Sequence, residues 1–350
     1  MRWITIKTKL TSLFSVFSFA EGAGVGRKLF VTGLAILTTF VLLLGMYWSG
    51  EPAPFSVRQK TNEMLAVGGN DYVVGSTTTA TLIGVAETLL QKPGGYLSND
   101  VLPPGLYLDN LPNWEFGVLV QVRDLTRAFR EHFSRSQSQS TEDRDLIISD
   151  GRFYVSNDSW LFPSSESEYK EGIRHLESYL IRISDPANTD AQFYARADNL
   201  SNWLLAVESR LGSLSQRLSA SVQQQRVNTD TAGEQGAVQS TPAQQELSIK
   251  TPWLQIDDVF YEARGATWAL MHFLRAVEVD FQNVLEDKNA AASLSQIIRE
   301  LEASQKAVHF PVILNGSGFG VFANHSLTMA NYISRANAAI IDLRSLLSQG

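Results

Sequence analysis

The run from Leu29 to Trp48 contains no charged residue, and it is bracketed by Arg27 and Lys28 before it and Glu51 after it. Twenty residues at the rise of an α-helix extend about 30 Å, the thickness of a bilayer's hydrocarbon core. No later stretch reaches that length, because charges interrupt the apolar positions every few residues, so the sequence predicts one membrane crossing. Arg2, Lys7, Lys9, Arg27 and Lys28 precede the run against a single acid, Glu21. The positive-inside rule therefore makes residues 1–28 a cytoplasmic basic tail and residues 29–48 the anchor, with everything beyond on the far side. A cleaved signal has a shorter apolar core and a small-residue site after it; here the run continues into Tyr47 and Trp48, residues favoured at an interface. The expectation is an uncleaved signal anchor, with cleavage near Ala53 as the weaker alternative. Ile4, Ile6, Leu10, Leu13, Phe14 and Phe17 suit an amphipathic helix on the cytoplasmic leaflet as well as they suit a disordered tail.

Of the 29 basic and 36 acidic residues, five basic and one acidic precede the run, which leaves a formal charge of −11 beyond it. That sign disfavours nucleic acid as a partner. The absence of cysteine excludes thiol chemistry and cysteine-based metal sites, and fits an exported domain that folds without disulfides.

Two heptad stripes dominate the remainder. Phe193, Ala197, Leu200, Leu204, Val207, Leu211, Leu214 and Leu218 alternate in steps of four and three. Trp253, Ile256, Phe260, Ala263, Thr267, Leu270, Leu274, Val277, Phe281 and Val284 do the same. Both read as helices of ~45 Å that pack along a shared seam, within the chain or against a second copy. Residues 223–250 between them, rich in Gln, Thr, Ser and Ala, read as a flexible linker. It divides a helical domain into a first part, residues 55–222, and a second part, residues 251–350, packed on the first. Shorter helical patterns cover Thr77–Gln91, Trp114–Phe133, Glu166–Ile183, Ala290–Ala307 and Phe319–Leu347. Asp145–Trp160 fits a helix or a hairpin around Asp150-Gly151, and helix is the preferred reading. The fold class is all-α, an elongated helical bundle behind a single transmembrane helix.

Motifs with catalytic precedent are weak. Ser167-Glu168-Tyr169-Lys170 matches S-x-x-K but lacks its partner motifs, since Lys250-Thr251 is followed by Pro252, and it reads as the first turn of a helix. Gly316-Ser317-Gly318-Phe319-Gly320 lacks dinucleotide-loop spacing and reads as a turn. His132, His175, His272, His309 and His325 show no metal-ligand spacing, so neither metal nor cofactor is expected.

Two segments are candidates for binding. Arg123, Arg127 and Arg135 with Ser136, Ser138 and Ser140 form a basic, hydroxyl-rich island in an acidic domain, suited to phosphate or carboxylate; its bland counterpart is a solvated helix face paired with Glu131, Glu142, Asp143 and Asp145. The proline-stiffened stretch Tyr96–Trp114 exposes Leu106, Tyr107 and Trp114 as an interaction loop, or else packs them over the bundle.

The strings YLSNDVLPPG, LDNLPNWEFGVLVQVRD, RSQSQSTEDRDL and AQFYARADNLSNWLLAVESRLGSLSQRLSASV resemble the uncharacterised Gram-negative bacterial family numbered 2333 among the domains of unknown function. The resemblance implies an inner-membrane-associated protein with no assigned activity, supports the periplasmic address that the charge bias gives the domain, and carries over no catalytic residue. The expected role is non-enzymatic, an envelope scaffold or interaction module with an envelope partner or a second copy. The alternative is a periplasmic receptor or hydrolase for an anionic cell-wall or lipid fragment, held by the arginine island.

Overall fold

A computed structural model of the chain describes residues 24–69, 71–136, 141–185, 187–227, 246–308, 313, 315–316 and 323–349. The elements are α1 (Val25–Trp48), α2 (Val57–Gly68), α3 (Ser76–Gln91), α4 (Asn110–Ala128), α5 (Arg144–Phe153), α6 (Ser165–Ser184), α7 (Ala197–Ser219), α8 (Ile256–Asp280), α9 (Gln282–Asp287), α10 (Ala291–Ser304) and α11 (His325–Ser348). A π-helical turn, Phe129–Phe133, extends α4. Strands β1 (Gln224–Val227) and β2 (Glu246–Ile249) make one antiparallel ribbon, so the chain is mostly helix.

Side-chain caps set several helix starts. Ser56, Asp143, Ser164 and Asn324 accept hydrogen bonds from amides two or three residues on, satisfying donors that have no partner inside the helix. The cap at Asp143 decides the ambiguous segment for helix. The helix α2 was not anticipated, because its only apolar residues are Val57, Met64, Leu65, Ala66 and Val67.

Ion pairs and glycine contacts give the helix directions. Ser76 meets Ser184, so α3 and α6 are antiparallel. Tyr194 meets Phe133 and Arg210 meets Asp124, while Phe193 meets Phe281 and Arg217 meets Glu262, so α7 runs against both α4 and α8, which are therefore parallel to each other. Ser215 meets Ser334 and Glu208 meets Arg344, so α7 also runs against α11. From α3 to α8 each helix reverses the one before it.

The expected seam between the heptad stripes is not formed. The α7 stripe is buried, but it packs mainly on α11, while α8 packs mainly on α4. The reason is position: α8 is buried on every face from Ala263 to Leu274, which makes it the central helix and not one arm of a pair. Trp253, at the head of its stripe, is exposed. The Gln-rich segment is not a simple linker either, since its two ends pair in register as β1 and β2; residues 228–245 between them lie outside the described residues. The last helix begins at His325, six residues later than its pattern suggests.

Candidate functional site

Where α1 meets the bundle, the chain is built into the core. Trp48 packs against it beside Gly94, whose φ of 87° is one that glycine adopts freely and whose missing side chain leaves room for the indole. One turn earlier, Gly45 faces Pro104 and Leu108 of the α3–α4 connection. Glu51, the acid that closes the uncharged run, lies on Arg264 of α8: Nε donates to Glu51 Oε1 at 2.6 Å and Nη2 to Oε2. Nη1 of Arg264 donates to the carbonyls of Ser304 and Lys306 at 3.1 and 2.9 Å. Arg264 is 4% exposed, so its charge depends on that carboxylate. Further along, Phe55 stacks on His272 at 4.3 Å, and its amide donates to His272 Nε2 at 3.1 Å. With Nε2 accepting, Nδ1 carries the proton and donates to Trp268 O at 2.7 Å, a neutral imidazole. Burial pushes its pKa down to about 4.

A second buried charge cluster holds the α3–α4 connection. Glu115 of α4 pairs with Lys92 at 2.5 Å and accepts from the amides of Leu97 and Ser98 at 2.8 and 2.9 Å. Burial pushes the Glu115 carboxyl up against these contacts. The same pattern recurs at Asp280, which accepts from the amide and hydroxyl of Thr78, both at 2.6 Å, and from Tyr72 at 3.0 Å. Its carboxylate caps α3 at the end remote from α1.

The arginine island is distributed among structural partners. Arg123 donates to the carbonyls of Phe153 and Val155 at 2.6 and 2.9 Å, closing the C-terminal end of α5. Arg127 lies 4.6 Å over the ring of Tyr154. Arg135 lies 3.7 Å from Glu142. The Ser136 carbonyl accepts from Arg196 at 2.8 Å, and Ser138 and Ser140 fall outside the described residues. The structure brings Arg123 and Arg127 together on Tyr154 and places Arg135 with a carboxylate, so their guanidinium groups are engaged within the fold.

The interaction-loop residues divide. Leu106 and Tyr107 are exposed, whereas Trp114 is fully buried inside α4, 5.2 Å from Trp268. Its place in the first turn and a half of a helix, facing α8, makes it a core residue and corrects its assignment to the loop.

No nucleophile–base pair emerges from the motifs. Ser167 donates to the Ser164 carbonyl at 2.8 Å, and Lys170 is exposed. Asp145, His175 and Ser178 assemble, but Ser178 donates to Asp145 and not to the imidazole. Burial raises the Asp145 carboxyl, yet hydrogen bonds from His175, Ser178 and Arg182 hold it below the usual range, so this is a tether between α5 and α6. Among the described residues no three His, Asp or Glu side chains are placed to hold a metal. Residues 317–320 of the glycine-rich string lie outside the described residues.

Neither a curated protein nor a solved structure matches the chain. The family model described as an uncharacterised protein conserved in bacteria, DUF2333, matches residues 24–350, all of the sequence from the start of α1 onward, and the chain belongs to that family.

Proposed function

We propose that this is a bacterial inner-membrane protein that keeps its N-terminal helix, holds its helical body in the periplasm, and acts there without catalysis as a scaffold or interaction module. The observation that carries this reading is the Glu51–Arg264 pair. The helix Val25–Trp48 has the length and hydropathy of either a membrane span or a signal sequence. Removal of a signal by cleavage near Ala53 would strip Glu51 from an arginine that is 4% exposed and leave that charge buried without its carboxylate. It would also remove Trp48 from its packing against the core. A segment destined for removal has no reason to be built into the body it leaves. The basic tail before the run supports an N-terminus in the cytoplasm. The described arginines of the island already serve carbonyls, a tyrosine ring and a carboxylate, which favours the scaffold reading over the receptor or hydrolase.

The test is topological. A reporter active only outside the cytoplasm, fused after Gly350, should be active, and the same reporter fused before Arg27 should be silent. Sequencing the N-terminus of the mature, membrane-extracted protein should find residues preceding Leu29. A mature chain that starts beyond Gly50 sinks the anchor, and activity from the N-terminal fusion sinks the orientation.

A further inference from the structure

The alternation of helix directions places the α3–α4, α5–α6 and α7–α8 connections at one end of the bundle, and it is the end from which α1 departs. The α3–α4 connection is fixed there by Trp48 against Gly94 and by Gly45 against Pro104 and Leu108. The α5–α6 connection joins it through Asn99, which donates to the Ser159 carbonyl at 2.8 Å, and through Tyr96, which donates to the Asn157 carbonyl at 3.1 Å. The start of α8 joins it through Asn113, which donates to Asp258 at 2.8 Å across the two parallel helices.

Each of these connections carries large apolar side chains into solvent. Leu106 and Tyr107 tip the first, Trp160, Leu161 and Phe162 tip the second, and Trp253 and Leu254 lie where the third enters α8. Tyr107 is 77%, Trp253 76% and Phe162 101% exposed. Scattered single apolar residues need no explanation, but three neighbouring loops ending in aromatic and leucine side chains at one pole of a molecule do. Tyrosine and tryptophan are the residues that settle where hydrocarbon meets headgroup.

Depth selects the occupant. Gly45 lies three residues, about 4.5 Å, before the end of the uncharged run. A loop that touches Gly45 is therefore level with the boundary between hydrocarbon and headgroups of whatever bilayer α1 crosses. We infer that Tyr107 and Phe162 at two loop tips and Trp253 at the entry to α8 insert into the interfacial layer of that same bilayer, so that the body rests on the membrane at three further points around its anchor. The inference rests on α1 spanning the membrane and goes beyond it, since a spanning helix alone requires no contact between lipid and the loops. Asp109 and Asp158 are exposed beside these tips, so the contact is with apolar and zwitterionic lipid and not an attraction to anionic headgroups.

The chain has no cysteine, which allows one environment-sensitive fluorophore to be placed at a time in the full chain. Labels at Tyr107→Cys, Phe162→Cys and Trp253→Cys are compared with Ile36→Cys in α1 and with Thr189→Cys on an exposed loop at the opposite end. The protein is reconstituted in phosphatidylcholine vesicles with and without phosphatidylcholine bearing a nitroxide near the top of its acyl chain, for the tips and Thr189, or near the chain's end, for Ile36 at mid-membrane depth. The expected result is loss of fluorescence to the nitroxide at all three tips and at Ile36, none at Thr189, and no change in 1 M salt. Quenching at Ile36 without quenching at the tips overturns the docking and leaves the anchor standing. No quenching at Ile36 overturns the anchor, and the docking with it. Equal quenching at Thr189 means adsorption without orientation and also overturns the proposal. Tips shielded from aqueous iodide but untouched by the lipid nitroxide are covered by protein, which overturns it as well.

Discussion

Gly265 lies directly against the carbonyl of Trp114, so close that a Cβ on the glycine would overlap the carbonyl oxygen, and Gly117 meets the carbonyl of Glu262 in the same way from the opposite side. Two parallel helices are thus held in backbone contact through a pair of glycines. Gly265→Ala or Gly117→Ala forces α4 and α8 apart along the densest part of the core. The expected loss is about 3 kcal/mol, at the upper end for overpacking because the obstacle is main chain. Urea unfolding of the detergent-solubilised chain followed by circular dichroism measures it; unchanged midpoints would mean the helices can separate freely.

Breaking the clamp at the base of the bundle has an asymmetric outcome. Glu51→Leu leaves Arg264 buried and unpaired and is expected to cost about 2–3 kcal/mol, discounted for the partial exposure of Glu51. Arg264→Met combined with Glu51→Leu should recover part of that loss, since an apolar pair of similar volume needs no partner, while the Ser304 and Lys306 carbonyls lose their donor. A thermodynamic cycle over the two single variants and the double variant checks the coupling.

His272 gives the fold a pH dependence of known sign. Its folded pKa, about 4, lies below its unfolded value near 6.5, so the unfolded chain binds the extra proton between these values. Stability attributable to this residue is complete above about pH 6.5 and declines as pH falls towards 4, by up to about 3 kcal/mol. The buried acids Glu115 and Asp280, raised by desolvation, contribute in the opposite direction. His272→Gln, which does not titrate, should therefore flatten the difference in unfolding midpoint between pH 7 and pH 4.5 relative to the natural chain.

The two arginines that share Tyr154 are separable. Arg123→Ala removes the donors for two carbonyls at the end of α5 and should cost about 1–3 kcal/mol. Arg127→Ala loses an exposed ring contact and should cost under about 1 kcal/mol. Equal effects in thermal unfolding would contradict these assignments. The same pair of variants bears on the anion reading, because inorganic phosphate should not stabilise the natural chain more than either variant.

What the sequence made legible follows from what periodicity encodes. The stripe Leu200, Leu204, Val207, Leu211 marked a buried face correctly in kind, but a stripe does not say which helix covers it, and α11 took the place assigned to α8. The all-round burial of α8 was obscured because Arg264, His272 and Asp280 sit among its apolar residues, and each is buried only by virtue of a distant partner, Glu51, Phe55 or Thr78. Such partners have no signature at sequence range. The arginine island was visible as composition, while the carbonyl ends and the ring that engage it became visible only in three dimensions. Likewise Trp160, Phe162 and Trp253 are unremarkable singly and join Leu106 and Tyr107, legible as an interaction loop, in one pattern only once helix directions bring them to one pole.

The six residues between Trp48 and Phe55 include Pro52 and Pro54, and Glu51 among them is pinned to α8. Sixteen residues further along α8, ~24 Å away, Asp280 fixes the start of α3. Apart from Ser49 and Gly50, the path from the departing helix to the far pole thus runs through an ion pair and one uninterrupted helix, α8, and not through a polymer-like linker. A sideways push at that pole is carried through α8 and the Arg264–Glu51 pair, and it arrives at α1 as torque. The chain is in this sense a stylus and not a flag on a string, and its reach from the base of α1 is set by geometry, not by the spread of a random coil.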